Sequence, residues 1–474
     1  MVIKKNKTTL IKNWTYLLLS DISQTVISFL IFMFLARKMS PDRFGTLSAI
    51  FALASLFSVF AINTCANQVI IREVTLQPNA TRSIFKIVLP IRITSLILSL
   101  LVLFGYLLYT KETHETIFIG TSVIVFATLI SDLAESIAFG HFVTKFTTIL
   151  SISAASCWLI IVVLLPASKI NVNLILLVYS LIYLIRCLAY IGISFNKFIG
   201  PNHETTIISY KAILFMSMPY LWMRIVGAFS DQVPLLLLNG HSGASEVGFY
   251  SVGNRFVLPI TMVVSTGLRA IFPFMTELYQ INKEKFNTML AEGFTLVLIL
   301  GSTIAMLLTV TSSIWLPLFF GSAYNKSILV FNYQAWLGVI LCFDLILANV
   351  LSSSYRQKIL AIIMTIDVLI IFPLMYIGAG YGANGMALAK LIGGIITVLY
   401  HVVVVIVVLG VRLKSLSFLL SCIYFVTMMV ITIFISDMSI KLIVVSILIL
   451  SFLVFDKSPL RQLIRLCYNY SNKK

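Results

Sequence analysis

Charge is what this chain lacks. Asp, Glu, Lys and Arg make up 11% of its 474 residues, against about a quarter in a soluble domain, and that scarcity excludes a water-facing surface of ordinary extent. It also lacks long polar loops. The longest connections, near 64–83, 195–211 and 274–293, fall well short of the roughly 50 residues of a separate domain. That excludes an appended glycosyltransferase or ATPase module, and with it the large outer loop expected of a membrane glycan polymerase or ligase. No GxxxxGK[ST] or HExxH sequence is present, so neither a P-loop nor a zinc protease helix is expected. The six cysteines (Cys65, Cys157, Cys187, Cys342, Cys422 and Cys467) are scattered with no CxxC, which argues against disulfides and a zinc site. His114, His141, His203, His241 and His401 stand alone. No catalytic residue, metal site or cofactor is therefore expected.

What the chain has is apolar length. Hydrophobic residues make up 59% of it, with a mean hydropathy of +1.03. A bilayer crossing takes about 20 apolar residues in helical form, and about fourteen such runs are present. They lie at approximately 13–36, 45–63, 84–109, 117–140, 148–166, 172–194, 212–238, 249–273, 294–317, 327–351, 359–377, 383–409, 415–435 and 439–455, with ends good to a few residues. The first run is too long for the apolar core of a signal peptide and reads as an uncleaved helix. The fold expected is an all-α polytopic membrane protein.

The net charge of +17 would point to nucleic acid in a soluble protein. Here it is the bias that holds positive loops in the cytoplasm. With the N-terminus inside, Lys and Arg divide roughly 21 inside to 7 outside, placing both termini in the cytoplasm. The tail, RQLIRLCYNYSNKK, is basic and aromatic and suits contact with a membrane surface.

Charges within the spans are the informative minority: Arg92, Arg186, Arg224, Arg255, Arg269 and Lys390 against Asp21, Asp132, Glu135, Asp231, Asp344 and Asp367. Each costs about 2.5–3.5 kcal/mol at the bilayer centre if it faces lipid, so they must face protein or a wet cavity. The first span carries a polar stripe of Ser20, Asp21, Gln24 and Ser28; the seventh carries Ser217, Tyr220, Arg224, Gly227 and Asp231. Arg224 lies about 18 Å into its helix and Arg255 about 10 Å from the outer side, one turn before Pro259. A guanidinium makes bidentate contacts with phosphate oxygens; the alternative is an ion pair with Asp21, Asp231 or Asp344. Arg186 and Arg269 sit near inner ends, where snorkelling explains them. Asp132 and Glu135 read as a solvated or paired rim. Asp231, Asp344 and Asp367 are candidates for exchanging protons or sodium, or for neutralising arginines. Lys390 suits a substrate phosphate or packing against Asp367. Pro219 and Pro234 bracket Arg224 and Asp231 and are candidate hinges.

A faint repeat joins the two ends of the list. LARKMSPDRFGTLSAIF, entering the second span, aligns with LLNGHSGASEVGFYSVG, entering the eighth, so that Phe44-Gly45 and Val247-Gly248 fall in equivalent places. Two parallel halves with a path between them is a transporter plan. These stretches, with EVGFYSVGNRF, Pro273 before Glu277-Leu278, and YGANGMALAK at 381–390, resemble the Wzx-type polysaccharide (O-antigen) flippases of the MOP exporter superfamily, relatives of the lipid II flippases and MATE exporters.

The resemblance implies two pseudo-symmetric six-helix lobes about a cavity, at 1–211 and 212–411, with 412–474 holding two appended helices and the basic tail. It implies no enzyme. Its substrate would be an undecaprenyl-pyrophosphate-linked oligosaccharide, an O-antigen or capsular repeat unit bound for lipopolysaccharide or related polysaccharide. This would be flipped across the bacterial inner membrane, with a proton or sodium gradient as a candidate energy source. The appended helices would form a groove for the lipid tail. Implied partners are that lipid-linked oligosaccharide, membrane lipids and other polysaccharide-assembly membrane proteins, with no nucleic acid. Arg224, Arg255, Lys390, Asp21, Gln24 and Tyr220 are the expected substrate contacts. The rival is an ion-coupled MATE-like exporter of small compounds, whose cavity should be acidic on balance; six cations against six acids disfavour it.

Overall fold

Inside a bilayer the backbone has no water to bond, so an apolar chain closes its hydrogen bonds within helices. The computed structural model describes residues 7–60, 63–110, 115–198, 209–411 and 416–435, and no strand occurs among them. The helices are α1 (Lys7–Lys38), α2 (Pro41–Phe60), α3 (Asn63–Leu76), α4 (Thr81–Thr110), α5 (Glu115–Gly140), α6 (Lys145–Leu164), α7 (Val172–Phe198), α8 (Tyr210–Ser242), α9 (Ala244–Asn254), α10 (Val257–Ile281), α11 (Lys283–Phe320), α12 (Ser327–Ser353), α13 (Gln357–Ala379), α14 (Gly382–Leu409) and α15 (Leu416–Phe434). Among the described residues, 13 stretches are long and apolar enough to cross a membrane. They follow the first thirteen expected spans in order; the fourteenth, 439–455, lies outside the described residues. The protein is an all-α, multi-pass membrane protein.

The eighth span departs from expectation. It begins earlier, at Ala244, and is broken at Arg255–Phe256 into α9 and α10. Pro259 has no N–H to give the carbonyl four residues back, which is that of Arg255, so the break falls where the missing bond should be. By contrast α8 runs unbroken across Pro219 and Pro234.

The chain divides into two compact units, Met1–Gly248 and Phe249–Lys474. Sequence placed the start of the second lobe at 212, but α8 packs on α2 and α3 and so belongs to the first unit. In that unit α5 packs against α7, α2 and α4. In the second, α12 packs against α14, α10 and α11. These are the fourth and tenth spans, each pairing with the span two places before and two places after it, so the repeat seen in sequence recurs in the packing. Small residues on α5 (Gly120, Ala127, Ser131, Ala134, Ala138) are all buried and let neighbouring helices approach closely. In the second unit α15 lies along α11, with Tyr424 and Thr303 hydroxyls 3.1 Å apart. Its outer face, Leu416, Leu419, Ile423, Val426 and Val430, is apolar and exposed, which suits acyl chains.

Two contacts pin the first unit. Lys38 Nζ donates to the carbonyls of Val162, Val163 and Leu165 at 2.8, 2.7 and 2.7 Å, so an ammonium caps the carbonyl end of α6, where helix bonds run out and the dipole is negative. The two glycines of the repeat also meet each other. A methyl group on Gly45 would lie 1.7 Å from the Ala244 carbonyl oxygen and 2.7 Å from the Gly248 nitrogen; one on Gly248 would lie 2.2 Å from the Pro41 oxygen. The starts of α2 and α9 therefore cross backbone to backbone, which explains why both copies of the motif carry glycine. Gly45→Ala is expected to cost about 1–3 kcal/mol by overpacking, read as a lower thermal midpoint of the purified protein in detergent. An unchanged midpoint would contradict this crossing.

Candidate functional site: two clusters of ionised groups

Ionised side chains in membrane-spanning helices need partners, and each unit supplies its own. In the first, Arg92 on α4 is fully buried. Its Nη1 donates to the Leu129 carbonyl at 2.7 Å and its Nη2 to Asn67 Oδ1 at 2.6 Å. Asn67, on α3, also bonds Asp132 on α5, and Asp132 lies in the fields of Arg92, Arg186 and Arg224. Glu135, one turn further along α5, is acted on by Arg186, Asp132 and Asp21. Three guanidinium groups thus share one region with three carboxylates, contributed by α1, α4, α5, α7 and α8. Of the two readings the sequence left open for Asp132 and Glu135, solvated or paired, they are paired. Arg186 does not snorkel to the inner surface: its guanidinium carbon sits 4.4 Å from the Tyr183 ring centre and 6.0 Å from that of Tyr190. A guanidinium stacks well on aromatic faces because it is planar and weakly hydrated. Tyr190 is held in turn by Ser151 Oγ at 3.0 Å and the Thr147 carbonyl at 3.1 Å.

The structure therefore brings Arg224 and Asp21 into one electrostatic neighbourhood. Gln24, on the same stripe of α1, donates to Ser20 Oγ at 2.9 Å. On α8, Tyr220, Arg224 and Asp231 are exposed and Ser217 is buried. The opposite face of α8, with Phe215, Met218 and Trp222, is apolar and exposed. One helix thus presents a polar stripe and an apolar stripe back to back.

The second unit holds a different chemistry. His401 on α14 lies between two acids: Nδ1 contacts Asp344 Oδ1 of α12, and Nε2 lies 3.0 Å from Asp367 Oδ1 of α13. The Tyr400 hydroxyl donates to Asp367 Oδ1 at 2.6 Å, with the Ile363 carbonyl at 2.9 Å as alternative acceptor, and sits 3.0 Å from His401 Nε2. The expectation that the histidines stand alone is wrong for His401. It is wrong for His141 as well, which bonds Thr81 Oγ1 at 2.9 Å and stacks on Phe198. Asp367 is engaged by His401 and Tyr400, where the sequence offered it Lys390 or an arginine; Lys390 is half-buried on α14. Arg255 is half-buried at the break between α9 and α10. Asp231 lies in the first unit and Asp344 and Asp367 in the second.

Equal depth was the signal that could have found His401. The chain alternates direction through α12, α13 and α14. Asp344, Asp367 and His401 each stand roughly eight to ten residues, about 12–15 Å, from helix ends on one side of the unit. Asn67 carried no such mark, because an uncharged residue in a polar stretch draws no attention.

Removing one partner of a buried charged pair costs about 3–5 kcal/mol, whereas replacing both with apolar groups costs far less. Arg92→Leu is therefore expected to depress the thermal midpoint sharply, and Arg92→Leu with Asp132→Leu to recover much of the loss. Additive losses in the double variant would show that the two groups are not coupled.

Comparison with known proteins places the fold and the family. The family model described as "Polysaccharide biosynthesis protein" matches residues 10–279; no curated protein matches the chain. Among solved structures, one titled a lipid II flippase, MurJ, in an inward closed conformation, is 18% identical. It has a TM-score of 0.68 over 96% of this chain and 100% of its own. An inward-facing multidrug resistance MATE family transporter of the MOP superfamily is 12% identical, with a TM-score of 0.61 over 85% and 95%. A MOP superfamily transporter from Pyrococcus furiosus is 13% identical, with a TM-score of 0.55 over 86% and 97%. The fold is that of MOP superfamily transporters, and the chain belongs to the polysaccharide biosynthesis protein family.

Proposed function

We propose that the protein is a flippase moving an undecaprenyl-pyrophosphate-linked oligosaccharide, an O-antigen or capsular repeat unit, from the cytoplasmic to the periplasmic leaflet of the bacterial inner membrane. The observation that carries this reading is the guanidinium–carboxylate cluster within the membrane-spanning helices of the first unit. A sugar head group and its pyrophosphate cannot cross hydrocarbon unaided, and Arg224, the exposed member of that cluster, is costly to keep in a membrane unless it meets something polar. Family membership supports a role in polysaccharide biosynthesis, and the likeness in fold to a lipid II flippase spans nearly the whole chain. On α8, Arg224 offers its bidentate fork to the pyrophosphate, with Tyr220 one turn before it and Asp21 and Gln24 on α1 for sugar hydroxyls. The apolar strip Phe215–Met218–Trp222 keeps company with the lipid tail. Arg255 and Lys390 supply cations in the second unit. Pro219 and Pro234 mark where α8 bends during the cycle, and the excess of basic residues in the expected inner loops favours both termini in the cytoplasm. The balance of three cations and three acids in the first unit suits an anionic, sugar-bearing lipid better than a small cationic compound.

The test is deletion of the gene. Lipid-linked repeat units should accumulate on the cytosolic side and surface glycan should fall. Arg224→Ala should reproduce the block at normal membrane abundance, and Pro234→Ala should lower surface glycan while leaving insertion intact. Normal surface glycan in the deletion strain would refute the function; normal glycan with Arg224→Ala alone would refute that residue's role.

A further inference from the structure

Resting on the flippase reading, the second cluster assigns the energy source to a residue. We infer that His401 is the proton-exchange site of the transport cycle, taking a proton from water on one side of the membrane and releasing it to water on the other. Asp344 and Asp367 hold the ring between them.

The geometry carries this. Both ring nitrogens face carboxylate oxygens, and an imidazole satisfies two such acceptors only when both nitrogens bear hydrogen. With the proton, the ring ties α12 to α13 and α14 and the cluster carries one net negative charge. Without it, one nitrogen keeps its hydrogen for Asp344 while the Nε2 lone pair faces Asp367 with only the Tyr400 hydroxyl to donate to it, and the net charge is two negative, so the link to α13 weakens. The charged groups facing the ring are Asp344 from α12 and Asp367 from α13, with the Tyr400 hydroxyl from its own helix. Access is graded: the side chain of His401 is 6% exposed, that of Asp367 17% and that of Asp344 32%. Asp344 is therefore the carboxylate through which the proton reaches the ring. The ring itself fills the space between the carboxylates that a sodium ion would need.

The first unit supplies the contrast. On the corresponding helix pair, α5 with α7, Asp132 and Glu135 face Arg186. A guanidinium keeps its proton under all conditions the membrane meets, whereas an imidazole changes charge near neutrality. One unit holds a fixed charge and the other an exchangeable one.

The test uses the full-length protein in vesicles, with undecaprenyl-pyrophosphate-linked oligosaccharide extracted from the producing cells in the bilayer. The fraction of glycan oxidised by external periodate reports its leaflet. For one proton per cycle, a gradient of about one pH unit should shift the ratio between leaflets by up to about tenfold, and a sodium gradient should not. His401→Arg keeps a cation between the acids but cannot release its proton, so it should move glycan without any response to the pH gradient. A merely structural histidine predicts a wild-type response in that variant, and such a response would overturn the proposal. Asp344→Asn is the second variant, for use should His401→Arg fail to insert; it should blunt the response, and a full response would also overturn the proposal. Wild-type glycan that moves without heeding the pH gradient sinks the role of His401 alone. Wild-type glycan that never moves sinks the flippase reading and this proposal with it.

Discussion

Ionised groups cannot face acyl chains, and the rest of this structure follows from that constraint. An Arg or Asp at mid-membrane costs several kcal/mol unless it meets an opposite charge, a hydrogen bond or water. With so few charges in the chain, those that persist inside its helices mark where the protein is not simply a lipid-filling bundle. Asn67 of α3 and the arginines of α4, α7 and α8 surround Asp132, and His401 of α14 meets Asp344. The small residues of α5 and the crossing at Gly45 and Gly248 bring backbones close enough for that to happen.

The repeat gives this arrangement its logic. The fourth and tenth spans, α5 and α12, each carry an acid roughly eight or nine residues from the helix end and each pair with the span two places on. What differs is the base opposite: Arg186, braced by Tyr183, in the first unit and His401, braced by Tyr400, in the second. A duplicated scaffold has kept its acid and changed the chemistry of its base. A permanently charged region suits an anionic substrate, and a titratable one suits exchange with a gradient.

Much of this was legible in the sequence. The thirteen spans among the described residues, and their order, followed from apolar runs, because a run of about 20 apolar residues satisfies its own backbone in lipid only as a helix. The repeat was visible through Gly45 and Gly248, although not that the two glycines touch. Arg224 and Asp21 stood out as charges on polar stripes, and the structure brings them into one neighbourhood. Other features were hidden. The assignment of α8 to the first unit depends on packing against α2 and α3, which periodicity does not encode. The break at Arg255 was half seen, through Pro259. His401 stands alone in sequence because its partners arrive from two other helices at matching depth. Arg186 reads as a snorkelling residue from its distance to a helix end, which carries no information about the aromatic rings beside it.

The central claim is that the polar stripe of α8 lines water while the apolar strip on its opposite face meets lipid. The most direct measurement substitutes cysteine singly at Tyr220, Arg224 and Asp231, and at Phe215 and Met218, in a background free of the native cysteines. Each is then exposed in membrane vesicles to a charged maleimide. The account predicts rapid labelling at the first three positions and protection at the other two. Protection at all five, or labelling of the apolar strip in preference to the polar one, would contradict it.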